Sequence, residues 1–314
     1  MLKRIIVSPA VLFFIVLLNF LLMKLAPGDP VRMFVSGTYA PPEYVEAMRH
    51  RLGLDKPLYE QFLIYISRLV QGDLGFSFVH NAAVLHLIGG RLYNTLLLTG
   101  LAFILSLVLG ILLGVIASKK PYSALDNSAS FSSLIVFSMP QFWVAIIFLL
   151  LFALYVPIFP PGGLISVGKT GVDYWVDFLW HLILPTFVLG LTNLATFVRL
   201  TRASMLEQLG KDYILTAWGK GCSERDVLYK HALRNALLPI VTMIGLRLPW
   251  LLYGAVLIET VFSWPGLGML LYDAIFSRDY NIIMGIFTII SALVIVFGLI
   301  TDLVYTYVDP RIAY

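Results

Sequence analysis

One stretch of the sequence has the residue types and spacing of a phosphate-binding loop. Residues 163–170, GLISVGKT, satisfy the pattern G-x-x-x-x-G-K-[ST], in which backbone amides and a lysine bind nucleotide phosphates. That chemistry requires a strand before the loop and a helix after it, whereas Pro160 and Pro161 precede this stretch and Gly171 follows it. We therefore predict that these residues bind no nucleotide, and that any ATP used by the protein is bound by another chain.

The other side chains that could catalyse a reaction or hold a metal are scattered along the chain. The five histidines fall in no H-E-x-x-H pattern or other paired-ligand spacing, G-x-S-x-G is absent, and Cys222 is the single cysteine. The sequence therefore predicts a protein that is not an enzyme, with no metal site and no cofactor of its own.

The composition places most of the chain in lipid. Hydrophobic residues make up 59% of the sequence and charged residues 13%, which is far from the balance of a soluble domain. Crossing the hydrocarbon core takes about 20 apolar residues in a helix, because backbone amides find no water there. Six segments meet this requirement: Ile5 to Met23, Leu92 to Ala117, Phe131 to Tyr155, His181 to Val198, Ala236 to Val261 and Ile282 to Tyr307.

Basic residues between these spans predict the orientation. Lys and Arg in short loops favour the cytoplasmic side. Lys3, Arg4, Lys119 and Lys120, a run of bases between residues 199 and 234, and Arg311 all fall on one side of the membrane. Both termini are therefore predicted to be cytoplasmic. The net charge of +4 follows from this sidedness and requires no nucleic-acid partner.

Two charged residues fall in the fifth predicted span. A charge at mid-membrane costs roughly 2.5–3.5 kcal/mol on insertion scales and needs a partner or water. We predict that Arg247 faces a water-filled pathway and meets anionic groups of the cargo; the alternative is a buried pair with a carboxylate such as Asp302. Glu259 lies about 18 Å further along a straight helix, where it lines the pathway or bonds to the bend at Ser263 to Gly268.

Two further patterns predict how helices pack. In the outer loop from Ala26 to Arg91, apolar residues recur at helical spacing and predict an amphipathic helix, which lies on the membrane interface or caps the domain: Leu58, Phe62, Ile66 and Leu69. In the second span small residues recur every four positions and predict a close helix contact, internal or between subunits: Ala102, Ser106, Gly110, Gly114 and Ser118.

The inner loop, residues 199–235, is much longer than a connector needs to be. An apolar stripe predicts a first helix that Gly219 and Gly221 end: Met205, Leu206, Leu209, Tyr213, Ala217 and Trp218. Ser223, with Asp226 three residues later, predicts a capping box that opens a second helix. We predict that this segment docks a soluble partner; the alternative is a hairpin on the membrane surface.

Several strings of residues resemble the dipeptide/oligopeptide/nickel permease family of ATP-binding-cassette (ABC) importers, in the same order along the chain. They are LAPGDP (25–30), LGLDKPLYEQF (52–62), GDLGFS (72–77), SMPQFW (138–143), the stretch 202–239, ETVFSWPGLG (259–268), RDY (278–280) and DPRI (309–312). The resemblance implies an all-helical integral membrane protein with six transmembrane helices and the type I ABC importer fold. It also implies three parts: an N-terminal helix with its outer loop (1–91), a five-helix transport domain (92–307) and a cytoplasmic tail (308–314).

The inner loop resembles the family's EAA loop, E-A-A-x3-G-x9-I-x-L-P, which seats in the ATPase subunit. Leu and Arg depart from this pattern at its acidic and proline positions, which are residues 215 and 234. The resemblance implies that eight residues couple this chain to the ATPase: Leu215, Thr216, Ala217, Gly221, Ser223, Arg225, His231 and Arg234.

The resemblance also implies the partners and the location. The chain is expected in the cytoplasmic (inner) membrane with a second, homologous permease subunit, two ABC ATPase subunits that bind ATP and Mg, and an extracytoplasmic substrate-binding protein. The expected cargo is di- or oligopeptides, with nickel complexes and oligosaccharides left open. An autonomous secondary transporter or channel is the rival function, but it predicts paired intramembrane carboxylates or inverted repeats, which this sequence lacks.

Overall fold

The computed structural model describes residues 2–25, 41–252 and 255–308. Residues 26–30 of the LAPGDP string, the DPRI string and most of the predicted tail lie outside them. The α-helices are α1 (Leu2–Leu25), α2 (Pro42–Leu52), α3 (Leu58–Val70), α4 (Val84–Lys119), α5 (Ala124–Ser138), α6 (Gln141–Leu149), α7 (Gly171–Leu209), α8 (Asp212–Gly219), α9 (Glu224–Asp226), α10 (Leu233–Arg247), α11 (Val256–Val261), α12 (Leu267–Phe276) and α13 (Tyr280–Val308). Two π-helices (Leu150–Tyr155 and Val227–Ala232), a 3-10 helix (Leu248–Leu252) and a hairpin of β1 (Phe76–Ser77) with β2 (Ala82–Ala83) complete the described elements.

Four of these helices are long and apolar enough to cross a membrane: α1, α4, α7 and α13. The third predicted span is not one straight helix, because α5 and α6 meet at an angle of 102°. Met139, between them, is extended with φ −86° and ψ 136°, which is the conformation that a residue before proline favours. Counted as one broken span, this pair would make a fifth crossing.

The fifth predicted span is also interrupted. Helix α10 ends at Arg247, a 3-10 turn follows over Leu248–Leu252, and α11 begins at Val256. Pro249 lies in the 3-10 turn, where it cannot donate a backbone hydrogen bond, whereas Pro239 lies inside α10 without ending it. The sequence predicted Arg247 near the middle of a continuous helix, and this prediction is wrong, because Arg247 is the last residue of α10.

The chain forms two compact units: Met1–Asn94 with Pro265–Leu299, and Thr95–Trp264 with Ile300–Tyr314. In the first unit the beginnings of α4 and α13 pack tightly, since a Cβ on Gly285 would lie 2.6 Å from Val84 Cγ1. The amphipathic helix predicted in the outer loop is confirmed as α3. Its Phe62 packs against Phe13 and Phe20 of α1, with ring centroids 5.8 and 5.2 Å apart.

In the second unit, the row of small residues on α4 forms an internal seam with α7. A Cβ on Gly110 would lie 2.4 Å from Phe197 Cβ, and one on Gly114 would lie 2.5 Å from Thr201 Cβ. Gly190 of α7 approaches the other helix in turn, since its Cβ would lie 3.1 Å from the carbonyl oxygen of Ala102. The close helix contact predicted from these small residues is confirmed, and it lies within this chain.

Candidate functional site

The segment that follows α7 is built from two short helices. The sequence predicted one helix from Met205 to Trp218, and this prediction is wrong, because α7 ends at Leu209 and α8 begins at Asp212. Lys211 between them is extended, with φ −87° and ψ 150°, and its N–H donates to the carbonyl of Gln208 at 3.1 Å. Gly210 supplies the flexible position at which the helix stops, since glycine disfavours a helix interior.

Helix α8 has one buried side and one exposed apolar side. Ile214 and Ala217 are buried, and they pack with other apolar residues of the second unit: Val115, Met205, Val227, Leu228, Ala232 and Ala236. Leu215 is 66% exposed and Trp218 is 47% exposed, and residues three apart share a helix face. The helix is thus fixed along one side and presents Leu215 and Trp218, here called the α8 ridge, to its surroundings.

The end of α8 is a Schellman motif. Gly221 has φ +77°, its N–H donates to the carbonyl of Trp218 at 2.9 Å, and the N–H of Cys222 donates to the carbonyl of Ala217 at 3.2 Å. The glycine bend predicted from Gly219 and Gly221 is confirmed: Gly219 is the last helical residue and Gly221 adopts the left-handed conformation.

Ser223 opens the next helix as predicted. Its hydroxyl oxygen accepts from the N–H of Asp226 at 3.2 Å, and its hydroxyl donates to the Asp226 carboxylate at 2.7 Å. Lys230 lies 2.6 Å from the same carboxylate. The hydrogen bonds from Lys230 and then from Ser223 lower the pKa of Asp226, and the carboxylate raises the pKa of Lys230 in return. Both groups therefore stay charged at neutral pH.

The second predicted helix is present, but part of it is a π-helix. Only α9 (Glu224–Asp226) is α-helical before a π-helix takes over, and α10 continues it from Leu233. His231, half-buried, lies in the π-helix. An ion pair of 3.4 Å between Lys119 and Glu224 joins the end of α4 to the start of α9. The π-helix forms a wider turn between α9 and α10.

The eight residues predicted to couple to an ATPase lie on one continuous segment but differ in exposure. The side chains of five are exposed: Leu215, Thr216, Ser223, Arg225 and Arg234. Ala217 is buried, because it packs beneath α8, so its side chain cannot meet a partner in this conformation. Trp218, absent from the predicted set, is exposed beside Leu215; the i, i+3 spacing was the signal that could have identified it.

A buried ion pair that the sequence analysis missed lies on helices next to this segment. Arg202 of α7 donates from Nε and Nη2 to the two carboxylate oxygens of Asp126 on α5. Asp126 also accepts the N–H of Tyr122 at 2.8 Å, and its own N–H donates to Ser123 at the start of α5. The Ser-x-x-Asp spacing at 123–126 was the available signal for this helix start.

Arg247, the predicted pathway residue, is half-buried at the end of α10. Within the described part of the chain its guanidinium makes no hydrogen bond or ion pair, so the alternative pair with Asp302 is not formed. Nearby, the Thr301 hydroxyl donates to the carbonyl of Gly245 at 3.1 Å and joins α13 to α10. The structure thus leaves the Arg247 guanidinium available to a partner from outside the described residues.

Glu259, the other candidate for the pathway, is fully buried. Its carboxylate accepts the hydroxyl proton of Thr95 at 2.6 Å, and its backbone carbonyl accepts the N–H of Trp264 at 2.8 Å. A side chain without solvent exposure cannot touch cargo in this conformation. The backbone carbonyl of Glu259 thus bonds to the bend and its carboxylate bonds to Thr95, while a role in lining the pathway stays a prediction.

The phosphate-loop pattern at 163–170 has no strand before it, although a helix does follow, because α7 begins at Gly171. The N–H and hydroxyl of Ser166 donate to Asp177 at 2.5 and 3.0 Å, and the N–H of Gly163 donates to the carbonyl of Phe262. A carboxylate therefore occupies the loop's donors where a nucleotide site would need them for phosphate.

Comparison with known proteins gives matches along the whole chain. The family described as "Binding-protein-dependent transport system inner membrane component" matches residues 106–314, and its N-terminal counterpart matches residues 1–99. The oligopeptide transport system permease protein AppB of Bacillus subtilis is 42% identical over 313 residues, which cover 99% of this chain and 98% of that protein. The dipeptide transport system permease protein DppB of Escherichia coli is 40% identical, covering 95% and 94% respectively. The di/tripeptide transport system permease protein DppB of Pseudomonas aeruginosa is also 40% identical, covering 96% and 94%.

Proposed function

This chain belongs to the family of binding-protein-dependent transport system inner membrane components, and from that membership we propose that it conducts di- and oligopeptides across the inner membrane. It is a permease subunit of an ABC importer, and such subunits transport without hydrolysing ATP themselves. The family works with ATPase subunits and a substrate-binding protein. Three relatives of nearly full length are named for oligopeptides, dipeptides and di/tripeptides, which supports peptides over nickel complexes or oligosaccharides.

The α8 ridge is the proposed docking site for an ATPase subunit. The observation that carries this proposal is the exposure of Leu215 and Trp218 on a helix outside the candidate membrane spans. Aromatic and apolar side chains that stay exposed in water mark surfaces that bind other proteins. The buried side of α8 packs against α4 and α7, and the ion pair between Lys119 and Glu224 ties the next helix, α9, to α4. A displacement of the ATPase would therefore move these helices and not α8 alone.

Arg247 is the proposed contact for the cargo. Peptides carry a terminal carboxylate, and a guanidinium binds a carboxylate through two parallel hydrogen bonds. The absence of a partner for Arg247 among the described residues supports this role. We further propose that a second, homologous permease forms the other half of the pathway and that both termini of this chain are cytoplasmic.

The docking proposal is tested by adding charge to the α8 ridge. Leu215→Lys should reduce the co-purified ATPase subunits and the ATP-dependent uptake of a labelled tripeptide by about tenfold or more, since central interface residues contribute roughly 2 kcal/mol or more. Val167→Lys is the matched control, because Val167 is a fully exposed valine on the loop before α7. Normal ATPase association in Leu215→Lys, or an equal loss in the control, would contradict the docking site.

The cargo is tested separately with the unmodified complex. Proteoliposomes that contain the permease pair, the ATPase subunits and the binding protein should accumulate the labelled tripeptide when ATP is present. Accumulation of a nickel complex or an oligosaccharide without any uptake of peptide would contradict the proposed cargo and leave the docking site unaffected.

A further inference from the structure

A cavity of about 500 Å³ lies within the first unit, on the side of the membrane where α1 ends and α13 begins. Its size falls in the range of roughly 300–1,000 Å³ that is typical of ligand pockets. Residues from the end of α1, from α3, from the β1–β2 hairpin and from the start of α13 line it. Since α1 and α13 are both candidate membrane spans, their shared end places the cavity at the boundary between lipid and water. The basic residues of the sequence predict that this boundary is the outer one.

The lining includes three cations and two carboxylates, and the carboxylates are already bonded. Asp73 accepts the N–H of Gly75 at 2.8 Å. Asp279 is buried and accepts the hydroxyl proton of Ser77 at 2.5 Å and the N–H of Ile282 at 3.3 Å. Both carboxylates therefore have donors of their own, which come from the hairpin region and from the start of α13.

Unlike the carboxylates of the cavity, its two arginines have no bonding partner within the described residues. Arg68 on α3 and Arg278 just before α13 are exposed, and within the described residues neither guanidinium makes a hydrogen bond or an ion pair. Lys24 supplies the third positive charge; it donates to Gln61 at 2.5 Å and lies 5.5 Å from the centre of the Phe20 ring. With two carboxylates against three cations, the cavity has a surplus of positive charge and two guanidinium groups free to bind an anion.

The remaining wall of the cavity is apolar. Phe20 stacks on Tyr65 with ring centroids 6.1 Å apart, and Met23 and Met284 line the same space. A ligand bound here would meet cations on one wall and apolar side chains on the other.

We propose that this cavity binds the phosphate of an outer-leaflet phospholipid, held by Arg68, Arg278 and Lys24, with the apolar part of the lipid next to the headgroup packed against the apolar wall of the cavity. The planar guanidinium group matches the geometry of phosphate oxygens and is the residue type that most often binds them bidentately. A free anion such as inorganic phosphate would satisfy the same cations, but it would gain nothing from the apolar wall. The position at the end of two spans therefore favours a lipid.

The test is a titration of the intact, detergent-solubilised importer with phosphatidylglycerol, followed by native mass spectrometry. The Arg68→Gln/Arg278→Gln double variant should raise the apparent Kd for the lipid by about tenfold, because it removes two charge-assisted contacts. Arg68→Lys/Arg278→Lys, which keeps both charges, should lose clearly less. Lys169→Gln is the control, since Lys169 is an exposed cation on the loop before α7. Tripeptide uptake by each variant checks that the importer is assembled.

Two results would overturn the proposal. One is an unchanged lipid Kd in the Arg68→Gln/Arg278→Gln variant, or an equal loss in Lys169→Gln. The other comes from a parallel arm in which inorganic phosphate competes with the lipid. If phosphate alone displaces phosphatidylglycerol with comparable affinity, the cavity is a site for a free anion and not for a lipid. Weak competition by phosphate, together with the loss in the double variant, supports the lipid.

Discussion

Arg202 binds both carboxylate oxygens of Asp126, and Asp126 is only 1% exposed. The pair joins α7 to the first turn of α5, just after the loop that leaves α4. Asp126 also caps that turn through the N–H of Tyr122. A carboxylate buried in this way depends on its cation, because an uncompensated buried charge is strongly unfavourable.

Asp126→Ala should lower the free energy of unfolding by about 2 kcal/mol. The loss is expected to fall below the usual 3–5 kcal/mol for breaking a buried pair, because Arg202 is partly exposed and water can solvate it afterwards. Thermal denaturation of the purified complex in detergent measures the change. Asp173→Ala, an exposed aspartate at the other end of α7, should change stability by roughly 0.5 kcal/mol or less. Equal shifts in the two variants would mean that the ion pair does not stabilise the fold.

The seam between α4 and α7 predicts that a single added methyl group will be destabilising. Gly110→Ala would place a Cβ 2.4 Å from Phe197 Cβ, so the helices would have to separate, at a cost of about 1–3 kcal/mol. Gly100→Ala on the same helix is the matched control, because a Cβ there meets nothing within 4 Å. Thermal denaturation should separate the two variants clearly. Similar melting temperatures would show that the seam is loose.

Replacing Gly221 should weaken coupling to the ATPase, whereas replacing Gly219 should not. Gly221→Ala forces an L-residue to φ +77°, which costs about 1 kcal/mol and weakens the Schellman end of α8. Gly219 is the last residue of α8 and has open space around it, so Gly219→Ala should be neutral or slightly stabilising. Hydrogen exchange over residues 212–226 should rise in the first variant only, and co-purification of the ATPase should fall with it. Faster exchange in Gly219→Ala as well would contradict this account.

Arg247→Gln should raise the apparent KM for peptide uptake by about tenfold while assembly and basal ATPase activity stay normal, since it removes one charge-assisted contact with the cargo. Arg247→Lys should retain part of the affinity. Lys120→Gln, a change of the same charge at an exposed position after α4, serves as the control. If Arg247→Gln leaves the affinity and selectivity of uptake unchanged, the guanidinium does not meet cargo.

Features with a local cause could be predicted from the sequence. Gly221 supplies a backbone conformation that other residues resist, and Ser223 caps a helix through atoms only three residues away. The small residues of α4 indicated a close contact because their spacing matches one helix face. In each case the residues that set the structure are neighbours in the sequence, so no knowledge of the tertiary fold was required.

Features set by distant contacts could not be predicted. The burial of Glu259 depends on Thr95, which is 164 positions away, and the ion pair of Arg202 depends on Asp126, 76 positions away. Apolar runs also hide interruptions, since the composition stays lipid-like across Met139 and across the 3-10 turn Leu248–Leu252. The π-helices have no comparable sequence signature, because the same residues fit an α-helix.

Helix α7 is 39 residues long, and at 1.5 Å per residue it measures about 58 Å, nearly twice the hydrocarbon thickness of roughly 30 Å. It runs without interruption from the loop after the π-helix Leu150–Tyr155 to the segment that carries Leu215 and Trp218. A rod of this length acts as a lever: a tilt of about 5° about one end sweeps the other through roughly 5 Å. A small angular change imposed at Leu209 would thus displace Gly171 by several ångströms.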